Sequence, residues 1–289
     1  MSKVGRAIAH GAITIVNALA LGKGSALGIG LWTKAIVRLT NEPGFIEGRI
    51  LSDPNESLSL IEASVKTVLR RFGLLDTYGA YVETDSNIPI ARGLKSSSAA
   101  ANALTLACLS ALGEECEDLE VVKLGVEAAM EAKVTITGAF DDACASYFGD
   151  IVVTDNLERR ILRRFIPEDL SVLLYVPSEK SYTVKADLQR MRLLAREVDV
   201  AFKEALSGNY WTAMTLNGLI YASALGYDPS IALDALAKGA IAAGLSGKGP
   251  SFAAVVPRDS MDNVKEAWKS LPGKLIETSI NHEKARRLP

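Results

Sequence analysis

Between Pro89 and Ala100 the chain reads Pro-Ile-Ala-Arg-Gly-Leu-Lys-Ser-Ser-Ser-Ala-Ala, and an Ala- and Leu-rich run follows as far as Gly113. Gly93 lets the backbone come close to a ligand, the serines offer hydroxyls, and the first turn of a helix presents N–H groups without intrahelical partners. Together with the partial positive charge of a helix start, these groups make an anion site suited to phosphates. A serine-capped helix of small residues that packs tightly accounts for Ser-Ser-Ser-Ala-Ala on its own; the Pro and Gly-Leu ahead of it shift the balance to phosphate. No Gly-x-x-x-x-Gly-Lys-Ser/Thr occurs, Gly247-Lys248-Gly249 lacks the upstream spacing and the hydroxyl, and no Gly-x-Gly-x-x-Gly follows a strand. P-loop and Rossmann sites therefore lose their main support. A second chemical feature is the adjacent pair Asp141-Asp142, which in isolation suits a solvated turn or a helix cap.

Those residues need a scaffold, and 289 residues that are 48% hydrophobic are ample for one large domain or two ordinary ones. Asp53-Pro54 precedes a helical pattern of Leu58, Ile61, Val65, Val68, Leu69 and Phe72, with Gly73 as the stop. Asp118 opens a second helix, Asp228-Pro229 a third that closes near Gly244, and Val184 to Leu206 is helical in pattern. Short β-rich runs lie at Ala35–Leu39, Tyr81–Glu83, Ile151–Thr154, Val172–Val176 and Ser251–Val256. The uncharged stretch from Ala7 to Gly22 is too short to span a bilayer and reads as buried strand and loop. Strands and helices are mixed without regular alternation, so the fold class is α+β, with a domain break after Thr154 where the charged Glu158–Arg164 stretch begins.

Bulk properties exclude other functions. A formal net charge of −2, from 32 basic and 34 acidic residues, provides no broad cationic face for nucleic acid. Cys108, Cys116 and Cys144 are too few and too irregular for a disulfide framework, and with only His10 and His282 no metal-ligand spacing appears. A cytoplasmic protein with small-molecule partners, and neither nucleic acid nor membrane, is the expectation.

The run from Pro89 to Ala99 resembles the second motif of the GHMP kinases, Pro-x-x-x-Gly-Leu-x-Ser-Ser-x-Ala. In the right order, Gly5-Arg6-Ala7-Ile8-Ala9-His10-Gly11 resembles the first motif, although Ala12 stands where a glutamate is usual. Gly244-Leu245-Ser246-Gly247-Lys248-Gly249-Pro250 resembles the glycine-rich third. The resemblance implies a two-domain GHMP kinase fold: a ribosomal protein S5 domain 2-like part over 1–155 carrying the ATP-binding loop, and a ferredoxin-like α+β part over 156–289 carrying the third motif. It implies ATP bound by Pro89, Ile90, Ala91, Arg92, Gly93, Leu94, Lys95, Ser96, Ser97, Ser98 and Ala99 with Gly247 and Gly249. Mg²⁺ would be held by Ser97 and Glu131. Gly138 to Gly149 resembles the family's catalytic segment, and counting back from Gly149 puts Asp142 on the catalytic position with Asp141 just before it. A carboxylate there can orient a substrate hydroxyl and take its proton, while Arg6 would stabilise charge on the transferring group.

Within the family the chain is most similar to the archaeal-type shikimate kinases, through His10 to Ala18 with Gly22-Lys23-Gly24, the Gly-Ala-Phe-Asp-Asp-Ala run and Ser246 to Pro250. That likeness implies shikimate, phosphorylated at its 3-hydroxyl for aromatic amino-acid synthesis, as the acceptor. Asp141, Lys180 and Ser181 would lie on the acceptor side, with Lys185 and Tyr182 nearby as further candidates for a carboxylated substrate. Alternatives are another GHMP kinase, such as homoserine or mevalonate kinase, and a non-catalytic GHMP-fold protein that binds ligand. The homoserine branch tends to carry asparagine where Asp142 stands, and the set Arg6, Ser97, Glu131 and Asp142 argues against loss of catalysis. An RNA-binding protein on a related fold is disfavoured by the balanced charge.

Overall fold

The computed structural model describes residues 3–135, 138–178 and 188–289. In chain order its elements are β1 (Val4–Val16), β2 (Lys23–Thr40), β3 (Ile46–Ile50), α1 (Ser59–Arg71), β4 (Gly79–Ser86), α2 (Ser96–Leu112), α3 (Asp118–Glu131), α4 (Phe140–Phe148), β5 (Ile151–Asp155), β6 (Arg160–Phe165) and β7 (Ser171–Pro177). There follow α5 (Leu188–Arg192), α6 (Ala195–Leu206), α7 (Tyr210–Leu225), α8 (Ser230–Ala237), β8 (Ala242–Leu245), β9 (Phe252–Val256), α9 (Met261–Trp268), β10 (Gly273–Ser279) and β11 (Arg286–Leu288).

Among the described residues the strands form two sheets, one of seven strands in the order β11-β1-β2-β4-β3 with β5 paired to β2 and β6 to β5, and one in the order β10-β7-β9-β8. β3 and β4 pair in parallel, and the other named pairs are antiparallel. The observed mixture is the α+β arrangement expected from the sequence. β1 is a strand, as read, and it is buried from Ala7 to Val16. Its pairing with β2 shifts register between His10 and Gly11 and again between Thr14 and Val16; such bulges bend a strand and re-aim its side chains.

α2 is buried along most of its length, with Leu104 and Leu109 fully enclosed, because its alanines allow it to lie between β1, β2 and the neighbouring helices. Each enclosed leucine contributes about 1.5–3 kcal/mol of burial free energy. α3 begins at Asp118, as expected, whereas the helical pattern read from Val184 to Leu206 is divided, within the described residues, into α5 and α6, the latter ending at Leu206. The helix expected from Asp228 to Gly244 is instead α8, which stops at Ala237; Gly239 then takes φ 101° and the chain enters β8. The division expected between residues 155 and 156 falls in the β5–β6 hairpin, so the first sheet continues to Phe165, and β11 returns the end of the chain to it. No helix of the described residues is long and apolar enough to cross a membrane, and the three cysteines are free.

Candidate active site

The loop that enters α2 places three residues in the left-handed region within five positions: Ala91 at φ 55°, Gly93 at 83° and Lys95 at 62°. Lys95 is the N-cap and makes no side-chain cap, so the first-turn N–H groups of α2 are left for a ligand. A Cβ on Gly93 would lie 2.3 Å from the Ser246 carbonyl oxygen, and only glycine combines that approach with a positive φ. The contact joins the loop to the glycine-rich turn after β8. There the Ser246 hydroxyl donates to the Gly93 carbonyl at 2.7 Å, and the Ser251 N–H donates to the Arg92 carbonyl at 3.3 Å.

The end of β1 fastens the same turn from the other side. The Gly247 N–H donates to Thr14 Oγ1 at 2.9 Å, the Thr14 N–H to Ser246 Oγ at 3.3 Å, and Asn17 Nδ2 to the Gly247 carbonyl at 2.9 Å. The Asn17 N–H in turn donates to Asn217 Oδ1 of α7 at 3.0 Å. Three chain segments, from residues 14–17, 89–97 and 246–251, are thus held in one cluster of hydrogen bonds. Between them lies a cleft open to solvent, bordered by Asn17, Gly93, Ser97, Asp142, Gly247 and Lys248.

α4 brings both aspartates to this cleft in its first turn, each in a different environment. Asp141 is enclosed: Asn156 Nδ2 donates to its Oδ1 at 2.7 Å, and a Cβ on Gly24 would lie 2.3 Å from its Oδ2. Burial, reinforced by the neighbouring Asp142 charge, raises its pKa well above the ordinary carboxylate range. Asp142 faces Lys95, whose Nζ lies 3.1 Å from its Oδ2, with side-chain exposures of only 13% and 10%. Its Oδ1 is buried without a hydrogen-bond partner. Asp142 borders the cleft, and a carboxylate with one oxygen paired to a cation and the other without a hydrogen-bond partner keeps an acceptor position for the proton of a bound hydroxyl.

Lys248 is the third charged group here, on the glycine-rich turn. Burial and the positive charge of Lys95 lower its pKa to about 8, against the opposing pull of Asp142.

Of the residues expected to hold nucleotide, Ala91, Gly93, Lys95, Ser96, Ser97, Gly247 and Gly249 line the cleft. Ile90 lines an adjoining, more apolar cavity with Ile50, Leu60, Ile61 and Leu104, which meets the cleft at Ser96, Ser97 and Val134. Pro89 and Arg92 border a separate hollow between the two sheets, and Leu94, Ser98 and Ala99 are buried. Thr14, Asn17 and Lys248 were not singled out from sequence, although a lone Asn ending an apolar strand and a lysine inside a glycine turn were visible signals. Lys180, Ser181, Tyr182 and Lys185 lie outside the described residues.

Arg6 and Glu131 are placed elsewhere. Arg6 is exposed on β1 with its Nη1 donating to the Pro289 carbonyl at 3.2 Å. Thr14 lies eight positions further on, roughly 26 Å along a strand at about 3.3 Å per residue. Glu131 ends α3, and the Arg70 guanidinium takes both its oxygens, at 3.0 and 3.3 Å, which lowers its pKa. Neither residue borders the cleft. Arg6→Gln is accordingly expected to leave steady-state kcat and KM within about twofold of the parent, since exposed contacts of this kind contribute little; a hundredfold loss of kcat would put Arg6 back at the reacting group.

The sequence matches the model of the GHMP kinases N terminal domain over residues 59–150 and that of the GHMP kinases C terminal over residues 193–273. It is 48% identical to a curated shikimate kinase of Methanosarcina mazei, over 99% of this chain and 97% of that protein. It is 45% identical to a shikimate kinase of Methanothermobacter thermautotrophicus, over 96% of each. Among solved structures it is similar to homoserine kinase from Cytophaga hutchinsonii, with a TM-score of 0.77 at 15% identity, covering 100% of this chain and 98% of that one. The Methanococcus jannaschii mevalonate kinase superposes with a TM-score of 0.76 at 16% identity, covering 96% and 98%. Full-length likeness to curated relatives, on a fold shared with solved kinases, places the chain in the GHMP kinase family.

Proposed function

We propose that this protein transfers the γ-phosphoryl group of ATP to the 3-hydroxyl of shikimate, yielding shikimate 3-phosphate and ADP. The acceptor is supported by the full-length likeness to curated proteins named shikimate kinase, at 48% and 49% identity in two Methanosarcina species. The observation that carries the chemistry is the Asp142 carboxylate, which borders the cleft, is tied to Lys95 through Oδ2 and has no hydrogen-bond partner at Oδ1.

In this reading the phosphates lie over the first turn of α2, whose free N–H groups and positive end favour anions. The base occupies the adjoining apolar cavity beyond Ser96 and Ser97. The shikimate 3-oxygen attacks the γ-phosphorus, the bond from that phosphorus to the β,γ-bridging oxygen breaks, and ADP leaves with the electron pair. The hydroxyl proton passes to the Asp142 carboxylate, while Lys95 holds that carboxylate in place. Mg²⁺ fits this donor set only in part from protein: the Ser97 hydroxyl is a hard oxygen ligand, Glu131 is engaged by Arg70, and the described residues contain no cluster of three His, Cys, Asp or Glu. The ion would be carried mainly by the nucleotide phosphates and would neutralise their charge. Asp141, kept toward its neutral form and held by Asn156, supports the start of α4 beneath the reacting carboxylate.

A coupled ADP-release assay with shikimate, homoserine and mevalonate tests the acceptor. Turnover with shikimate at a kcat/KM at least about a hundredfold above the others is expected, because a site built to hydrogen-bond one polyol acid leaves polar groups unpaired with another. Absence of turnover with shikimate, or preference for homoserine, would overturn the assignment.

A further inference from the structure

Two lysines, Lys95 and Lys248, border the cleft, and among the described residues only Lys95 is paired with one of its carboxylates. Lys95 is paired with Asp142, yet among the described residues Lys248 makes no hydrogen bond or ion pair and borders the cleft on the turn between Gly247 and Gly249. Lys95 reaches the turn that carries Lys248: a Cβ built on Gly247 would lie 3.0 Å from Lys95 Nζ, and both lysines border the same cleft. Asp141 is enclosed and bonded to Asn156 rather than to Lys248, and burial raises its pKa to about 7, so it offsets the Lys248 charge only in part. A partly buried, unpaired cation is costly unless an anion comes to it. The turn that carries Lys248 is braced by Thr14 and Asn17 and pressed against Gly93 of the phosphate loop, so its position is fixed relative to α2.

We propose that Lys248 is a catalytic residue of the phosphoryl transfer, its ammonium donating hydrogen bonds to the non-bridging oxygens of the moving γ-phosphoryl group across from the α2 N-terminus. The role is the one the first motif suggested for Arg6, supplied here from the third. It rests on the kinase reading but not on shikimate as the acceptor. Charge builds on those oxygens as the group passes between bridging oxygen and acceptor, and a preorganised cation in a partly dry site stabilises that state more than bound ATP. No proton is transferred by Lys248 and no bond to it forms.

The test compares binding of Mg-ADP with binding of Mg-ADP plus aluminium fluoride, which mimics the planar transferring group, in wild type, Lys248→Met and Lys248→Arg. Lys248→Met is expected to weaken the fluoride complex about a hundredfold and ADP alone less than about threefold, with Lys248→Arg restoring most of the difference. Unchanged thermal unfolding of each variant separates this from misfolding. Equal losses for ADP and for its fluoride complex, or no loss in either, would overturn the role. The pH dependence supplies a second reading. The titratable groups facing Lys248 are Lys95 from the start of α2 and Asp142 and Asp141 from α4. A cation lost above about pH 8 predicts that the fluoride complex weakens as pH rises through that value and that Lys248→Arg shifts the loss upward. Strengthening with pH would instead assign the neutral amine a role as base and contradict the proposal. Because the fluoride complex needs no acceptor, discrimination by Lys248 alongside inactivity on shikimate would discard the acceptor and keep this inference.

Discussion

Asp142→Asn is expected to lower kcat about 10²–10⁴-fold, the usual contribution of a positioned general base. The substitution keeps the volume and removes the proton acceptor, so the fold and the shape of the cleft persist. Nucleotide affinity responds differently. With the carboxylate neutralised, Lys95 loses its ion-pair partner 3.1 Å away and its charge becomes available to the phosphates, so ATP binds equally or more tightly. The kinetic signature is a fall in kcat with KM for ATP unchanged or lower, the pattern of a group that acts in the transition state. Steady-state kinetics with direct measurement of ATP binding checks both halves. Full activity in this variant would move the proton acceptor away from Asp142, and a matching loss of ATP affinity would make it a nucleotide-binding residue.

Gly93→Ala has the second largest expected effect, and it acts on the donor side. Gly93 sits at φ 83°, a conformation that costs an L residue about 1–2 kcal/mol. The added methyl also meets the Ser246 carbonyl oxygen at 2.3 Å, where both neighbours are backbone and neither can swing aside. The loop must separate from the glycine-rich turn, breaking the 2.7 Å hydrogen bond from Ser246 and moving the N-terminus of α2 relative to Gly247 and Lys248. ATP affinity is expected to fall at least about tenfold, equivalent to about 1.4 kcal/mol, with a lower melting temperature. Gly113→Ala is the control, since it has a similar φ of 76° at the far end of the same helix and open space around it. Equal effects of the two substitutions on ATP binding would mean that strain alone, and not the contact between loop and turn, explains the loss.

The parts of this architecture legible from sequence are those written locally. Asp118 marks the start of α3, the apolar Ala7–Gly22 stretch covers most of the strand β1, and Gly93 with the serines marks a helix entry. α1 begins at Ser59 rather than directly after Asp53-Pro54, because residues 53–57 are spent on turns before the helical pattern. β8 was hidden inside an alanine-rich run after α8 that has neither a helical nor an alternating period, and only the positive φ at Gly239 and pairing with β9 make it a strand. At the site, residues from widely separated segments had no local signal. Asn17 reaches Gly247 and Asn217 across at least 200 positions, and Lys248 acquires meaning only when the turn is pressed onto Gly93. Arg6 illustrates the reverse: a motif position can match while the strand carrying it delivers the side chain to the opposite end from Thr14.

The two aspartates show how placement separates neighbours of one type. They are adjacent and share a helical turn, yet Asn156 and the close backbone of Gly24 enclose one while Lys95 presents the other to the cleft. Spacing alone could not have assigned those environments, since they are made by β2, by the segment after β5 and by the entry to α2.

The central claim is that a hydroxyl bound beside Asp142 receives the phosphoryl group held over α2. It is tested most directly by phosphorus–proton correlation NMR of the product formed from ATP and shikimate by the purified protein. The account predicts a single phosphoester whose phosphorus couples to the proton on C3 of the shikimate ring, formed in step with ADP. A phosphoester at another ring position, or release of free phosphate without any phosphoester, would contradict it.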